Sequence, residues 1–314
     1  MKTILITGGS GFLGKRLASK LSNKYNIVLG SRNNNQNRLA NLETSCEVVP
    51  LDITSKESIN DIFYYIKPDI IIHAAATKYV DISETYPHET IDVNILGSQN
   101  IARASIKNNI ETVIGISTDK TAPPIGNIYG LSKAVMERLF LSLNNKSDTN
   151  FTCVRFGNIA WSTGSVFPIW EEMTKKNKLI YSTGPDMRRF FFNCDEASDL
   201  VIRSLNHINL TSGKILIQDM KCAKISDILD IWCKIFNCKW KKVKKRLGDK
   251  QDEYLIGELE YLYAKKIIIN KIIHYLLDFN KICQNPLKKT ISTINAKRLN
   301  NKEIAKLIKY KVNE

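Results

Sequence analysis

Short apolar runs alternate with segments of helical spacing along the first half of the chain. The run KTILITGG ends in glycine, as expected of a buried parallel strand followed by a turn. In the next segment Leu13, Leu17 and Leu21 recur every four residues, which predicts a helix. The alternation continues through the apolar runs in YNIVLGSR, CEVVPLDIT, PDIIIHAAA, ETVIGISTDK and FTCVRFGNIA. Because right-handed crossovers join parallel strands, this pattern predicts an α/β fold with a Rossmann-type, doubly wound parallel sheet.

The alternation weakens after residue 160, although EASDLVIRSLNHI keeps helical spacing and GKILIQDM resembles one more strand. We therefore predict a main domain from residues 1–160, completed by returning elements near 190–218. Residues 161–189 and 219–314 are predicted to form a smaller C-terminal lobe. Neither an internal repeat nor a low-complexity linker separates the two parts.

The composition is that of a soluble globular enzyme, with 43% hydrophobic and 25% charged residues. No apolar run approaches the ~20 residues that a membrane helix needs, and MKTILITGG has too short an apolar core for a signal peptide. Seven cysteines form no CxxC pair, and the four histidines are scattered, so we expect reduced thiols and no metal site. These features predict a cytoplasmic protein without a membrane span.

The formal net charge of +15 has two interpretations. It could mark a nucleic-acid surface, or a lysine-rich surface around a site for anionic ligands. Basic segments such as KWKKVKKR occur without any recognised nucleic-acid-binding module. We therefore expect no nucleic-acid partner.

A glycine-rich turn follows the first predicted strand. TGGSGFLG places Gly8, Gly11 and Gly14 in a GxxGxxG arrangement that opens the first helix. Glycines let the backbone approach a pyrophosphate, and the helix N-terminus supplies free N–H groups and a partial positive charge. The turn therefore predicts a dinucleotide site.

The end of the second strand carries Ser31 and Arg32, where an NAD enzyme usually has an acid for the ribose 2′-hydroxyl. A cation and a hydroxyl suit a 2′-phosphate, so we predict NADP in preference to NAD, the alternative being that Arg32 is a solvated loop residue. Asp52, after the third strand, is placed to accept from the adenine amino group. Ala74, Ala75 and Ala76 are small where the backbone must pass close to the cofactor.

Tyr129 and Lys133 form a YxxxK pair, which on a helix puts both side chains on one face. A nearby ammonium group is expected to lower the pKa of the phenol. The phenol could then take a proton from a sugar or alcohol hydroxyl while hydride leaves the same carbon. After the fifth strand of a dinucleotide fold, this predicts the redox half of an active site.

Asp119 and Lys120 end the fifth strand, so they are expected to face the crevice where ligands bind in such sheets. An additional acid and base beside a hydride acceptor suggest an elimination. Oxidation at C4 of a hexose acidifies the C5 proton, which Lys120 could remove while Asp119 protonates the departing 6-hydroxyl. The alternative is an exposed Asp-Lys turn pair.

Several of these motifs together resemble one family. TGGSGFLG, IIHAAATKYV, DVNILGS, STDK with YGLSK, VRFGNIAWSTGSVFP and MRRFF are similar to segments of the UDP-N-acetylglucosamine 4,6-dehydratases. These are polysaccharide-biosynthesis members of the extended short-chain dehydrogenases/reductases. The resemblance continues into RLGDKQDEYLIGE and LNNKEIAKLI, and so covers nearly the whole chain.

The resemblance implies a UDP-N-acetylhexosamine substrate, NADP as the cofactor and a homo-oligomer. The main domain would bind NADP, and the C-terminal lobe would bind the nucleotide sugar. The implied catalytic positions are Thr118, Asp119, Lys120, Tyr129 and Lys133. The predicted cofactor contacts are Gly8, Gly11, Phe12, Leu13, Gly14, Ser31, Arg32, Asp52, Ile53, Ala74, Ala75, Ala76, Lys78, Asn94, Tyr129 and Lys133. The predicted substrate contacts are Lys78, Asn158, Ser165, Val166, Arg189, Arg246 and Asp249.

Departures from the family leave alternatives open. Thr163 stands where an arginine is usual. Many members have methionine at the position of Tyr129, and a tyrosine there resembles the soluble branch that also inverts C5. A UDP-sugar 4-epimerase or 4-ketoreductase is the second enzyme hypothesis, although such enzymes usually place a serine or threonine where Asp119 and Lys120 occur. A dinucleotide-sensing or nucleic-acid-binding protein is the non-enzyme hypothesis. Such a protein would have no reason to keep Asp119, Lys120, Tyr129 and Lys133 together.

Overall fold

The computed structural model describes residues 1–310. Its strands, numbered β1 to β16 along the chain, are Thr3–Thr7, Asn26–Ser31, Glu47–Pro50, Ile70–His73, Thr112–Thr118, Asn150–Phe156, Asn158–Ile159, Leu179–Ser182, Arg188–Phe192, Ile215–Gln218, Cys222–Lys224, Lys239–Lys242, Tyr254–Ile256, Ala264–Ile269, Ile272–Leu277 and Ile291–Ser292. Its α-helices, α1 to α12, are Phe12–Leu21, Asn34–Thr44, Lys56–Ile66, Val80–Thr85, Pro87–Thr90, Ser98–Lys107, Ile128–Asn144, Val166–Asn177, Cys194–Asn206, Ile208–Thr211, Ile225–Phe236 and Asn301–Lys309. Ile91–Gly97 is a π-helical segment, and Asp119–Thr121 and Tyr261–Tyr263 are single 3-10 turns.

One large sheet organises the molecule. Strands β3, β2, β1, β4, β5, β6 and β10 lie side by side in this order and run parallel. β15 adds antiparallel to β10, and β14 adds antiparallel to β15. The strand order reverses at β1, which has β2 on one side and β4 on the other, and a crevice forms at such a point beyond the carboxyl ends of the strands. The prediction of an α/β, Rossmann-type, mainly parallel sheet is confirmed.

The central strands are mainly apolar because both faces of the sheet are covered. Consecutive residues Ile4, Leu5 and Ile6 of β1 are all fully buried, although their side chains point alternately to opposite faces. Helix α1 adds Leu17 and Leu21 to the same core. The regular spacing of these leucines therefore reports one buried helix face, as predicted.

A second core, rich in aromatic side chains, lies in the C-terminal part. Trp232 of α11 is fully buried, and its ring centroid lies 5.7 Å from that of Phe167 and 5.8 Å from that of Trp170, both on α8. The Trp232 indole N–H donates to Thr174 Oγ1 over 3.1 Å. This cluster joins α8 to α11, beside the wall of the cleft described below.

The division into two lobes stays a prediction, and its last four residues lie outside the described part of the chain. Strand β10, from the segment predicted to return to the main domain, lies in the large sheet. Strands β14 and β15 lie there too, although they come from the segment assigned to the C-terminal lobe. None of the helices within residues 1–310 is both long enough and apolar enough to cross a membrane.

Candidate active site

A cleft of about 570 Å³ crosses the carboxyl ends of β1, β4, β5 and β6. One end is lined by the glycine turn before α1 and by the alanines after β4. The other end is lined by α8, by the loop after β8 and by the segment around Arg246. A single elongated cleft of this kind can hold a dinucleotide and a second ligand end to end.

The glycine turn leaves room for a diphosphate at the start of α1. Gly8 has a φ of +68°, and a Cβ added there would lie 2.8 Å from the backbone of Ala75. Gly11 caps α1 without a side-chain hydrogen bond, and the first turn of the helix carries no acid. The free N–H groups at this end therefore fit an anionic dinucleotide. Phe12, Leu13 and Gly14 line the same cleft, as predicted cofactor contacts should.

The predicted 2′-phosphate residues lie beyond the cleft lining. Ser31 Oγ donates to Asn37 Oδ1 over 2.6 Å and lies 2.6 Å from Ser10 Oγ. Arg32 is exposed, and its Nη2 lies 3.4 Å from a carboxylate oxygen of Glu89. An exposed, loosely paired arginine can turn toward a phosphate at little cost.

Three further predicted cofactor residues also lie outside the cleft lining. The Asp52 carboxylate accepts from both the N–H and the hydroxyl of Thr54, which fixes the turn after β3. Ile53 is buried in the main core. Asn94 is fully buried and hydrogen-bonds both the N–H and the carbonyl of Thr77. In this structure Asn94 supports the loop that carries Lys78.

The end of β5 brings three of the predicted catalytic residues together. Lys120 Nζ donates to Asp119 Oδ1 over 3.0 Å, and Thr118 Oγ1 donates to the same oxygen over 3.1 Å. Asp119 is fully buried, and its second oxygen, Oδ2, makes no hydrogen bond within the described residues. Lys120 and Thr118 line the cleft, whereas Asp119 lies directly behind them. The hypothesis of an exposed Asp-Lys turn pair does not fit this burial.

Lys120 is held as a cation in this arrangement. Burial acts to lower the pKa of Lys120, but the carboxylates of Asp119 and Glu253 outweigh it, and the pKa is raised. Lys120 Nζ lies 3.7 Å from Glu253 Oε1 and 3.4 Å from Asn158 Oδ1. The Lys120 ammonium, with these oxygen atoms around it, therefore lies at the cleft and can exchange a proton with Asp119.

Tyr129 and Lys133 lie on α7 and both line the cleft. Burial raises the pKa of the Tyr129 phenol, and the positive charge of Lys120 opposes this shift. This differs from the prediction that Lys133 lowers the phenol pKa. Burial lowers the pKa of Lys133 to about 8, and its Nζ lies 3.0 Å from Met136 Sδ. The cation that acts on the phenol is therefore Lys120, on the neighbouring loop.

A buried ion-pair network supports the end of β5. Arg155 of β6 pairs with Glu137 of α7 over 2.6 Å and with Glu260 over 2.8 Å. Glu137 also accepts from the hydroxyls of Ser117, over 2.5 Å, and Thr121, over 3.1 Å. The catalytic loop is therefore fixed on both sides of Asp119 by one carboxylate.

The predicted substrate residues line the opposite half of the cleft. Lys78, Asn158, Ser165 and Val166 all face it, and Ser165 Oγ is buried without a hydrogen bond within residues 1–310. Burial lowers the pKa of Lys78. Unpartnered polar groups in a concave site are suited to binding a polar ligand.

The two arginines predicted to bind phosphate differ in their surroundings. Arg189 is buried and donates to the carbonyls of Arg188, over 2.8 Å, and Lys250, over 2.9 Å. Arg246 is half exposed and lies 3.4 Å from Asp249 and 3.9 Å from Asp81. Both arginines and Asp249 line the cleft. Arg246 therefore has more N–H donors free for a ligand than Arg189 has.

Glu253, just before β13, is a buried site residue that the sequence did not single out. Its carboxylate lies among Lys120, Arg189 and Lys250. Its only signal was its place in the segment RLGDKQDEYLIGE, which resembles a family motif. No group of three or more His, Cys, Asp or Glu side chains within residues 1–310 is arranged to hold a metal ion.

The fold, the glycine turn and the YxxxK helix define an extended short-chain dehydrogenase/reductase. Residues 4–274 match the family described as polysaccharide biosynthesis protein, and the chain belongs to that family. This confirms the polysaccharide-biosynthesis branch that the motifs indicated.

Full-length relatives carry different names. An "uncharacterized membrane protein MJ1061" of Methanocaldococcus jannaschii is 31% identical, over 98% of this chain and 95% of the relative. A "UDP-glucose 4-epimerase" of Rickettsia bellii is 32% identical, over 98% of this chain and 95% of the relative. The first name states no reaction and the second states an epimerisation, so the two names together assign no reaction to this chain.

Two solved structures share the fold to different extents. Pen from Bacillus thuringiensis has 27% identity and a TM-score of 0.89, and the match covers 98% of this chain and 96% of Pen. A UDP-glucose 4-epimerase of Thermus thermophilus, solved in complex with NAD, has 18% identity and a TM-score of 0.71, covering 79% of this chain and 88% of that chain. The second likeness shows a common fold alone.

Proposed function

We propose that this protein is an NADP-dependent 4,6-dehydratase of a UDP-N-acetylhexosamine. The product would be a 4-keto-6-deoxy sugar nucleotide for surface polysaccharide or glycan biosynthesis, and UDP-N-acetylglucosamine is the first substrate to test. The observation that carries the proposal is the buried contact between Asp119 and Lys120, 3.0 Å apart at the edge of the cleft. An enzyme that only oxidises and reduces C4 has no use for such an acid–base pair.

The first chemical step needs a base at the sugar O4. Tyr129 lines the cleft on the same helix as Lys133 and, as the phenolate, would take the O4 proton. The nicotinamide cofactor, when bound, would take hydride from C4 and, after the loss of water, return it to C6. C5 would then take a proton from solvent, and Tyr129 would release the O4 proton to solvent. Because Lys120 opposes the rise in the phenol pKa, the cation that serves the second step also assists the first.

The second step removes water across C5 and C6. Lys120, as the neutral amine, would take the C5 proton, and Asp119, as the carboxylic acid, would protonate the leaving 6-hydroxyl. A proton transfer from Lys120 to Asp119 creates both forms without changing the charge of the pair. After elimination the C5 proton is on Lys120 and the Asp119 proton has left in water, so the ion pair seen in the structure is restored.

The nucleotide would be held by the half of the cleft opposite the glycine turn. Arg246 supports this part of the proposal, because it lines the cleft with donors free for a diphosphate. Asn158 and Ser165 offer polar groups nearer the loop after β5. Arg32 supports NADP over NAD, since no acid occupies its position. The homo-oligomer and the cytoplasmic location stay predictions.

A UDP-sugar 4-epimerase is the second candidate, because the Rickettsia bellii relative, at 32% identity, carries that name. Epimerisation needs oxidation and reduction at C4 only. Tyr129, Lys133 and the glycine turn would serve both reactions. The two candidates therefore differ in whether the C5 proton is removed.

The test is to incubate the purified protein with UDP-N-acetylglucosamine in deuterium oxide and to follow the product by NMR. A dehydratase gives a 4-keto-6-deoxy sugar with deuterium at C5. A C4 epimer that keeps its 6-hydroxyl and its C5 proton would replace the proposal with the epimerase. A parallel incubation with UDP-glucose tests whether the N-acetyl group is required.

A further inference from the structure

Glu253 lies at the centre of a cluster of cations in the wall of the cleft. Its Oε1 lies 3.7 Å from Lys120 Nζ and 3.8 Å from Arg189 Nε, and its Oε2 lies 3.3 Å from Lys250 Nζ. These partners come from three parts of the chain: the turn after β5, strand β9 and the loop before β13. Glu253 is therefore the point where the second lobe meets the catalytic loop.

The backbone holds this carboxylate in place. The Glu253 N–H donates to Thr293 Oγ1 over 3.1 Å, and the Glu253 carbonyl accepts from the Thr293 N–H over 2.9 Å. The side chain is 2% exposed, and Oε2 makes no hydrogen bond within the described residues. A buried carboxylate without a full set of hydrogen bonds costs stability unless its charge is needed.

We propose that Glu253 is a positioning residue that holds the Lys120 ammonium in place and keeps it protonated between turnovers. The proposal deepens the function proposed above and rests on it for its catalytic meaning. Asp119 cannot serve this purpose throughout the reaction, because it is neutral while it carries the proton for the leaving hydroxyl. A second carboxylate at Lys120 remains negative throughout the elimination.

The proton balance of the elimination explains the need for a second carboxylate. The C5–H bond breaks and an N–H bond forms on Lys120. The C6–O bond breaks and the Asp119 proton completes a water molecule. The new ammonium on Lys120 then faces two carboxylates, Asp119 and Glu253, whereas before the step a neutral Lys120 amine faced the Glu253 carboxylate and a neutral Asp119. Glu253 thus favours the side of the reaction on which C5 has lost its proton.

The pKa of Lys120 depends on all the charged groups that surround it. Asp119 and Glu253 raise the pKa of Lys120, while burial and the Arg189 guanidinium lower it. Tyr129 on α7 and Lys250 before β13 are the other titratable groups of the cluster. Loss of the Glu253 charge should therefore move the Lys120 titration to lower pH. Loss of the Lys250 charge should move it to higher pH.

The experiment measures the titration of Lys120 directly and needs no turnover. Lysines are labelled by reductive ¹³C-methylation of the full chain, and the Lys120 signal is identified by its loss in Lys120→Arg. Glu253→Gln should shift the titration of this signal to lower pH, and Lys250→Met should shift it to higher pH. Glu258→Gln, which changes an exposed glutamate near β13, is the matched control and should leave it unmoved.

The pH profile of turnover is the second measurement. In Glu253→Gln, the part of the pH–rate curve that reports the titration of Lys120 should move to lower pH. In Glu253→Asp, which keeps the negative charge, this part of the curve should lie closer to that of the parent protein. A Lys120 titration that is the same in the parent, Glu253→Gln and Lys250→Met would overturn the proposal. If Glu253→Gln does not fold, Lys250→Met alone decides the direction. A shifted titration in a protein that forms no dehydrated product would refute the dehydratase function and leave the charge relationship standing.

Discussion

Lys120 Nζ lies 3.0 Å from Asp119 Oδ1, although the two residues are neighbours in the chain and neighbouring side chains usually diverge. The 3-10 turn Asp119–Thr121, directly after β5, brings them together. The contact leaves Asp119 Oδ2 without a hydrogen bond within residues 1–310 and fully buried. An acid and a base therefore share a proton at one point of the cleft wall, which is the arrangement that an elimination needs.

Lys120→Ala should separate the two halves of the reaction. Tyr129 remains, so addition of UDP-N-acetylhexosamine should still reduce bound nicotinamide, although more slowly, because the Lys120 charge that opposes the rise in the Tyr129 pKa is lost. Without a base the C5 proton stays, so the reduced cofactor should accumulate and product formation should fall by roughly 10²–10⁴-fold. Absorbance at the reduced-nicotinamide wavelength, measured beside product NMR, checks both steps in one sample.

Tyr129→Phe is the matched comparison for Lys120→Ala, because it should lose the reduction itself. Lys175→Ala changes an exposed lysine on α8 and should leave both signals at the parent level. A fully active Lys120→Ala variant would remove Lys120 from the mechanism and leave the 4-epimerase as the better hypothesis.

Arg246→Ala and Arg189→Ala should give different defects, although the sequence predicts one role for both. Arg246 is half exposed and loosely paired, so its loss should raise KM by about tenfold while kcat and stability change little. Arg189 is buried and donates to the carbonyls of Arg188 and Lys250, so its loss should also lower the free energy of unfolding by about 1–3 kcal/mol. Kinetics and urea unfolding of both variants make the comparison, and equal KM values in Arg246→Ala and the parent would contradict the phosphate assignment.

The sequence predicted elements whose pattern is local and missed those that depend on distant contacts. Strand β1 is apolar without interruption because both its faces are buried, and such a run is readable from the chain alone. Strand β14, AKKIII, carries exposed lysines and joins the sheet through β15, so its pattern did not indicate a sheet strand. Antiparallel edge strands tolerate polar faces, so they lack the apolar pattern from which a strand is predicted.

The same distinction applies to the site. Gly8, Lys120 and Tyr129 lie at strand ends or helix starts, so fold rules alone place them near the cleft. Glu253 reaches Lys120 because the segment before β13 packs against the turn after β5, and no spacing in the sequence reports that contact. The direction of the Tyr129 pKa shift likewise depends on burial and on which lysine is near, and the sequence indicated the wrong lysine.

Arg32 should decide between NADP and NAD. Arg32→Asp should weaken NADP binding by about 1.5–3 kcal/mol, the value of a charged hydrogen bond, and should leave NAD binding unchanged or tighter. Arg103→Asp, which reverses an exposed arginine of α6 outside the cleft lining, is the control. Calorimetric titration of both cofactors measures the difference. Equal affinities of the parent protein for NAD and NADP would contradict the role of Arg32.

Two buried histidines should make the fold sensitive to mild acid. Burial lowers the pKa of His73 to about 3 and that of His274 to about 4. His274 is held neutral, because its Nε2 accepts from Arg203 Nη1 over 2.8 Å and its Nδ1–H donates to the Ile272 carbonyl over 2.9 Å. The unfolded chain binds these protons near pH 6.5, so stability should be complete above about pH 6.5 and should be lost as the pH falls toward 4.

The loss should approach about 1.4 kcal/mol for each histidine per pH unit below 6.5. Urea midpoints at about pH 7.5 and pH 5 measure it, and the midpoint should be clearly lower at the acidic pH. His274→Gln removes one of the two groups, so the difference between the midpoints should shrink. His88→Gln changes an exposed histidine and should leave the difference as in the parent. An unchanged midpoint between the two pH values would mean that the folded protein accepts these protons, and that His73 and His274 are not held neutral by their surroundings.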